Sequence, residues 1–418
     1  MGLIRLQSCK QRKKRLIVGG SCKMKKIISD YKEMLTKRYV RIYLLYFLFF
    51  VVNDPLEQLL VLLMAEKGLT AQHYGYVLSA LNAAGIVVPA IIGFLATRYS
   101  AYLVSGAALL GGMALPFLLS RVKAPMPVII FAGVFLCVRW FYNDGFGNAI
   151  NYEIDADARG KFIAVRDLFL FGGCSVGLFI AGVITKKHSV EQFYSVWGFL
   201  YALPLMMLFL VRKHSKREKE KQEIEKKERF SLKDYIPILK NGRVWAYIGV
   251  NTFVSVYGCA MSYLPLYAVR IGLSVSNIMS LSSMMLLVNA VMALFVSHLG
   301  DTKGRKGLYV FDIAFDMLPA LIFMLSHNIY VFGLAIVLTM FKDMFGAASY
   351  AYYYDLFPED NGTALLGVIG SVDSVVGIVM PLLVAFIWGI SPQLVFGVGA
   401  AGCGMAALIA GIFLPDCK

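Results

Sequence analysis

The fold is decided by the stretch from residue 40 to residue 64, which reads VRIYLLYFLFFVVNDPLEQLLVLLM. A membrane-spanning helix needs about 20 predominantly apolar residues, and this run is long enough while carrying few charges. Similar runs follow along the whole chain, at residues 73–96, 101–121, 126–152, 163–185, 193–212, 244–266, 275–298, 307–326, 329–355, 363–388 and 392–414. The sequence therefore predicts an all-α membrane protein with twelve transmembrane helices, numbered below as spans 1 to 12.

Composition excludes a soluble globular protein. Of 418 residues, 58% are hydrophobic and only 16% are charged, and the mean hydropathy is +0.67. Soluble domains carry about 25% charged residues. Because the apolar residues fall in long uninterrupted runs, a soluble fold would have no way to bury them.

The net charge of +15 is concentrated in two blocks that flank apolar spans, at residues 1–40 and 212–240. Nucleic-acid binding is disfavoured by this placement, because Lys and Arg beside spans are what the positive-inside rule requires. We therefore expect a multi-pass protein of the plasma membrane with both termini in the cytoplasm.

The charged segments also divide the chain. We expect a basic N-terminal extension over residues 1–39, a six-helix bundle over 40–212, a cytoplasmic linker over 213–243 and a second six-helix bundle over 244–418. A repeat supports the two bundles, because Tyr142-x-Asp144-x-Phe146-Gly147 in span 4 recurs in span 10 as Phe341-x-Asp343-x-Phe345-Gly346. Transporters built from such repeats bind solute between them.

The most specific motif lies between spans 8 and 9 and reads Gly300-Asp301-Thr302-Lys303-Gly304-Arg305-Lys306. It resembles the Gly-x-x-x-Asp-x-x-Gly-Arg-Lys loop of the major facilitator superfamily in a shorter form. With the span count, the linker and the repeat, the resemblance covers residues 40–414. It implies two six-helix bundles that move solute by alternating access, with this loop as a latch of the inner gate. The alternative is a basic loop that only sets topology.

Two further loops are similar to acidic turns of that family. One ends at Arg159 after span 4, and the other contains Glu359 after span 10. They are candidate partners of the inner gate, and ordinary polar turns are the alternative. In span 5, Gly173-x-x-x-Gly177 resembles the family's antiporter signature, but close packing of helices through small residues is the favoured interpretation.

Polar and ionisable residues inside apolar spans are the candidates for solute and ion binding. Each charge costs at least ~2.5–3.5 kcal/mol at the bilayer centre when unpaired, so such residues mark pathways. The first-half candidates are Asn53, Asp54 and Glu57 in span 1 and Arg139, Asn143 and Asp144 in span 4.

Depth predicts which of these charges meet. Asp54 and Arg139 lie at nearly equal distances from the inner ends of their spans, given a rise of about 1.5 Å per residue. We expect them to pair near the midplane, as an acid in span 1 and an Arg in span 4 do in several proton-coupled members of the family. Proton coupling is therefore the favoured interpretation, and a structural ion pair that never titrates is the alternative.

The second half offers a matching set of polar residues for the cavity: Asn251 in span 7, Lys342 and Asp343 in span 10, and Asp373 in span 11. A contact between Lys342 and Asp373 is possible at the depths these residues occupy. The mixture of acids and bases favours a polar solute.

No enzyme motif is present, since neither a Gly-x-x-x-x-Gly-Lys-Ser/Thr phosphate loop nor a His-Glu-x-x-His metal site occurs. We expect no catalytic residue, no metal and no cofactor. The sequence predicts a monomeric, proton-coupled secondary transporter whose partners are a small solute, protons and the lipid bilayer. An uncoupled uniporter and a non-transporting membrane sensor or scaffold remain alternatives.

Overall fold

The structure is a computed structural model that describes residues 35–151, 159–213, 240–296, 305–341, 349, 352–353, 356–357 and 362–416. Within these residues the regular structure is helical throughout, with no strand. The helices are α1 Lys37–Glu66, α2 Ala71–Arg98, α3 Ala101–Arg121, α4 Pro125–Asn151, α5 Arg159–Thr185, α6 Val190–Trp197, α7 Ala202–Lys213, α8 Gly242–Met261, α9 Leu264–Arg270, α10 Val275–Val296, α11 Arg305–Leu325, α12 Ile329–Thr339, α13 Gly362–Ile390 and α14 Pro392–Phe413.

The helices confirm an all-α membrane protein. In the described part of the chain, 10 helical segments are long and apolar enough to cross a membrane. The other two predicted spans coincide with α2 and with α12, and α12 is described over 11 residues. Each of the apolar runs in the sequence therefore contains a helix within the described residues.

Two of the spans are interrupted, which the hydropathy pattern did not predict. Span 6 consists of α6, a 3-10 turn over Gly198–Tyr201, and α7. Pro204 lies in the first turn of α7 and has no N–H to donate to the carbonyl of Leu200, so the α-helical ladder is broken there. Span 7 consists of α8 and α9, and Pro265 occupies the start of α9, where a missing N–H costs little.

The helices of the two halves pack in a repeated pattern. In the first half α5 packs on α1, and in the second half α13 packs on α8. Between the halves, α5 packs on α10 and α2 packs on α13, which are equivalent contacts under a two-fold relation of the halves. The sequence repeat is thus accompanied by a repeat in packing.

The halves join at one side of the molecule. We call the side where α1 begins the terminal side and the side where α1 ends the distal side. Among the described residues, the second-half members of the largest apolar cluster come from the distal halves of their spans, and they include Tyr263, Tyr267, Leu273, Ala385 and Phe396. Nearer the terminal side the second half has its own cluster, which contains residues such as Val244, Ile248 and Tyr309.

Candidate functional site

An ion pair in the middle of the first half connects α1 to α4. The Nη1 atom of Arg139 lies 2.6 Å from Oε2 of Glu57. The Glu57 side chain is 15% exposed and that of Arg139 is 38% exposed. The guanidinium also lies over the ring of Phe50, 5.3 Å from its centroid. Because this cation is held on one flank by a carboxylate and on another by an aromatic face, its position is well defined.

The partner of Arg139 differs from the predicted one. Depth predicted Asp54, but the structure gives Glu57, which lies three residues further along the same face of α1. The glutamate side chain is one methylene longer, and Asp54 already accepts a hydrogen bond from Gln58 Nε2 at 3.1 Å. Arg139 thus meets an acid of span 1, but the ion pair is formed with Glu57 and not with the predicted Asp54.

Asp54 is enclosed and bound by a neutral group. It is 8% exposed, and within the described residues it accepts a hydrogen bond from the Gln58 amide. Glu57, by contrast, has the charge of Arg139 in direct contact. The two carboxyl groups of this site therefore differ in kind, one paired with a cation and one with a neutral donor.

The backbone of α1 at this site is held by aromatic side chains of span 6. Pro55 lacks an N–H, which disturbs the hydrogen-bond ladder of α1. The Trp197 indole N–H donates to the Val52 carbonyl at 3.0 Å, and the Tyr194 hydroxyl donates to the Leu56 carbonyl. The Tyr201 hydroxyl donates to Oδ1 of Asn53 at 2.5 Å. We call Tyr194, Trp197 and Tyr201 the aromatic brace, and it fixes the segment that carries both acids.

The glycines of span 5 allow α5 to approach α1 closely. A Cβ on Gly173 would lie 2.5 Å from the Phe47 carbonyl oxygen, and a Cβ on Gly177 would clash with the Val51 carbonyl. Pro55 leaves that Val51 carbonyl without its helical donor. The packing interpretation of the Gly173-x-x-x-Gly177 motif is confirmed.

The remaining predicted residues of the first half are Asn53, Asn143, Asp144 and Arg159. Asn53 is completely buried, and its Nδ2 atom has no hydrogen-bond partner within the described chain. Asn143 is half-buried in α4. The side chains of Asp144, in α4, and Arg159, at the start of α5, lie outside what the structure describes.

In the second half, Asn251 of α8 and Asp373 of α13 are half-buried. The Oδ1 atom of Asp373 is buried and has no hydrogen-bond partner within the described residues. Lys342 and Asp343 lie outside the described residues, so the predicted contact between Lys342 and Asp373 stays a prediction.

Of the predicted inner-gate loop, the structure describes the last two residues, Arg305 and Lys306. Outside the described residues lie Gly300, Asp301, Gly304 and Glu359. Arg305 begins α11, and Lys306 Nζ lies 3.7 Å from the Asp416 carboxylate after α14. This contact joins two elements of the second half at the terminal side.

A serine cluster joins α5 to α10 across the two halves. Ser175 Oγ donates to the Ser283 carbonyl at 3.0 Å, and Ser283 Oγ donates to the Ser175 carbonyl at 2.7 Å. Two turns nearer the distal side, Ser276 Oγ donates to the Gly182 carbonyl at 2.6 Å. Hydrogen bonds from serine side chains to a neighbouring helix are a common way of joining helices inside a membrane.

The equivalent contact between α2 and α13 also depends on small residues. A Cβ on Gly75 would lie 2.7 Å from the Cβ of Ala385 and 2.9 Å from the Pro381 carbonyl oxygen. Gly377 lies against the side chain of Asn82. Both contacts between the halves thus lie from mid-span toward the distal side, where the structure is closed.

Sequence reasoning missed several polar residues near the site. Gln58 follows Glu57 directly and lies one turn after Asp54, so its position in an apolar span was an available signal. Arg166 and Asp167 of α5 form a side-chain ion pair at 2.6 Å, and Arg166 lies over the Tyr46 ring at 5.7 Å from its centroid.

Comparison with known proteins decides the family. A sequence model of the Major Facilitator Superfamily matches residues 42–330, which is well over half of the chain. The chain belongs to the Major Facilitator Superfamily. It is therefore a transporter of multi-pass architecture and not an enzyme. No match was found among curated proteins.

Solved structures of other transporters share this fold. A variant of the nucleoside transporter NupG superposes with a TM-score of 0.72 at 14% identity, covering 91% of this chain and 100% of that one. A bacterial homologue of the human lysosomal transporter Spinster, in an inward-facing and occupied conformation, superposes with a TM-score of 0.66 at 11% identity, covering 89% of this chain and 93% of that one. At these identities the likeness concerns the fold alone.

Proposed function

We propose that this major facilitator protein is a proton-coupled secondary transporter of a small polar solute. The observation that carries the proposal is the pairing of Glu57 with Arg139 beside a second, enclosed acid, Asp54. A charged side chain near the middle of a membrane span costs free energy, so such residues mark ion or solute pathways. Glu57 is in direct contact with the Arg139 guanidinium, whereas Asp54 accepts a hydrogen bond from the neutral amide of Gln58. We assign proton binding to Asp54 and solute binding to the half-exposed Arg139.

The cavity is proposed to lie between spans 1, 4, 7 and 10. Asn143 of α4 and Asn251 of α8 supply amide groups on the two sides, and Asp373 supplies a carboxylate oxygen that has no hydrogen-bond partner among the described residues. Asp144, Lys342 and Asp343 are assigned to the same cavity from the sequence pattern. This mixture of donors and acceptors fits a solute that makes several hydrogen bonds, and nucleosides belong among the first compounds to test because NupG shares the fold.

The orientation proposed is cytoplasmic for the terminal side, in the plasma membrane, with a monomer as the transporting unit. Because the halves touch at the distal side, the conformation is then closed outward. The loop from Gly300 to Lys306, with Asp301, Gly304 and Arg305, is the proposed inner gate, together with Arg159 and Glu359. It would close when the distal contacts open.

Transport by the purified protein tests the proposal. In proteoliposomes we expect solute uptake above protein-free vesicles, and we expect an imposed pH gradient to drive accumulation beyond the equilibrium level. Solutes are identified first by thermal-shift screening of nucleosides, sugars, amino acids and carboxylates. Uptake that equilibrates without responding to the pH gradient would identify an uncoupled uniporter, and binding without uptake would identify a sensor.

Topology is tested separately with reporter fusions. Fusions in the linker at Lys221 and after Lys418 should report a cytoplasmic location. The basic blocks at residues 1–40 and 212–240 favour the inside, and the six spans predicted after the linker return the chain to the same side. A fusion in the loop at Lys123, between α3 and α4, is the matched control and should report the opposite side. A signal from outside at Lys221 would contradict the orientation.

A further inference from the structure

A cavity lies at the distal end of the first half, between α5 and α6, away from the central site. Its volume is about 650 Å³, which is in the range of ~300–1,000 Å³ typical of ligand pockets. It is lined by Val183, Ile184, Lys187, His188, Gln192, Phe193, Ser195, Val196 and Trp197. The mechanism of transport makes no use of it.

The cavity has a polar rim and apolar walls. Lys187 and His188 belong to the short loop between α5 and α6, at the point where both helices leave the apolar layer. Val196 lies six residues into span 6, or about 9 Å below the start of α6, and is 69% exposed. The cavity therefore extends from the interfacial loop into the membrane layer and is accessible from its side.

The charge of Lys187 is available to a ligand. Its neighbouring acids are occupied, since Glu191 lies 3.4 Å from Lys67 Nζ and Glu66 accepts the backbone N–H groups of Val190 and Glu191. Lys187 is exposed and has no ion pair within the described residues. His188 makes a hydrogen bond with Gln192 at 3.3 Å, which keeps its ring at the rim.

The apolar wall is rigid. The Phe193 and Trp197 rings stack with centroids 4.8 Å apart, and the Trp197 indole is anchored to the Val52 carbonyl of α1. A preformed wall lowers the entropic cost of binding. An occupant would rest on the same tryptophan that braces the acidic site of α1.

We propose that this cavity binds a phospholipid with an anionic headgroup. The phosphate would lie at Lys187 and His188, and an acyl chain would follow Val183, Val196 and Trp197 into the bilayer. A cation at the interface with an apolar wall below it matches the two ends of such a lipid, because a lysine ammonium binds a phosphate as a point charge. A water-soluble anion would leave the apolar wall uncovered.

Quenching of Trp197 by brominated lipids tests the proposal. A chain that keeps Trp197, with Trp140, Trp245 and Trp388 replaced by Phe, is placed in phosphatidylcholine vesicles that contain a low fraction of lipid brominated on its acyl chains. We expect brominated phosphatidylglycerol to bind about fivefold more tightly than brominated phosphatidylcholine, which is the effect of about one interfacial lysine.

Neighbouring lysines supply the matched control. Lys187→Gln should bring the ratio of the affinities for the two lipids close to one. Lys186→Gln should leave that ratio near five, because Lys186 is exposed on the same loop but does not line the cavity. Equal quenching by both lipids in the parent chain would overturn the proposal. An equal loss of the preference for phosphatidylglycerol in the two glutamine variants would also overturn the proposal. Such a result would show that the lipid responds to diffuse surface charge and not to a site.

A second measurement does not depend on the tryptophan replacements. Native mass spectrometry of the unaltered chain, titrated with phosphatidylglycerol or phosphatidylcholine, should show one additional tightly held phosphatidylglycerol that Lys187→Gln removes and Lys186→Gln keeps. Lipid adducts that do not depend on headgroup would contradict the proposal.

Discussion

Asp54→Asn is expected to abolish accumulation of solute against its gradient while leaving counterflow at a normal rate. Asparagine preserves the shape and the contact with Gln58 but takes up no proton. If Asp54 carries the coupled proton, exchange of labelled for unlabelled solute needs no net proton movement and should survive. The measurement is counterflow beside uptake driven by a pH gradient, in the same vesicles.

Asp167→Asn is the matched control for this prediction. Asp167 is another carboxylate of the first half, but it is paired with Arg166 at 2.6 Å and lies on α5 away from the Glu57–Arg139 pair. We expect this variant to keep coupled uptake. Loss of both activities in Asp54→Asn would make Asp54 a structural or solute-binding residue, and retention of both would remove it from the mechanism.

Hydropathy was sufficient to locate the spans. The stretch over residues 40–64 became Lys37–Glu66, and the last predicted span over 392–414 became Pro392–Phe413. A membrane constrains sequence strongly, because each crossing needs about 20 apolar residues and internal satisfaction of its backbone. The breaks at Pro204 and Pro265 were less predictable, because a proline near a helix start can be tolerated with or without an interruption.

The site was predictable in its location but not in its pairing. Asp54, Glu57 and Arg139 stand out as charges in apolar runs, and a helical rise of about 1.5 Å per residue places them at similar depths. Depth alone has an error of about one turn, which is the spacing between Asp54 and Glu57. Which of two acids one turn apart receives the guanidinium depends on side-chain length and on competing donors such as Gln58.

The sequence pattern does not predict the aromatic brace. Tyr194, Trp197 and Tyr201 are aromatic residues in an apolar span, a pattern that most often indicates core packing or an interfacial belt. Their hydrogen bonds to Val52, Leu56 and Asn53 depend on how span 6 lies against α1. Pro55 signals that carbonyls are freed, but it does not indicate which helix supplies the donors.

Single substitutions in the Glu57–Arg139 pair are expected to destabilise the protein, and the double variant is expected to recover most of that stability. Arg139→Gln and Glu57→Gln should each lower the thermal midpoint, because either leaves one charge enclosed without its partner. Breaking a fully buried pair costs about 3–5 kcal/mol. The Arg139 side chain is 38% exposed, so we expect about 1–3 kcal/mol after allowance for solvent screening.

The double variant Glu57→Gln/Arg139→Gln should recover most of this loss, since two neutral amides can hydrogen-bond to each other where the ion pair stood. Transport should not recover with it, because the proposal gives Arg139 a part in binding the solute. The measurement is a double-mutant cycle of thermal midpoints beside uptake for the same four proteins. Additive destabilisation would show that Glu57 and Arg139 act independently, and recovery of transport together with stability would make the pair structural, leaving Asp54 and the amides of Asn143 and Asn251 to bind the solute.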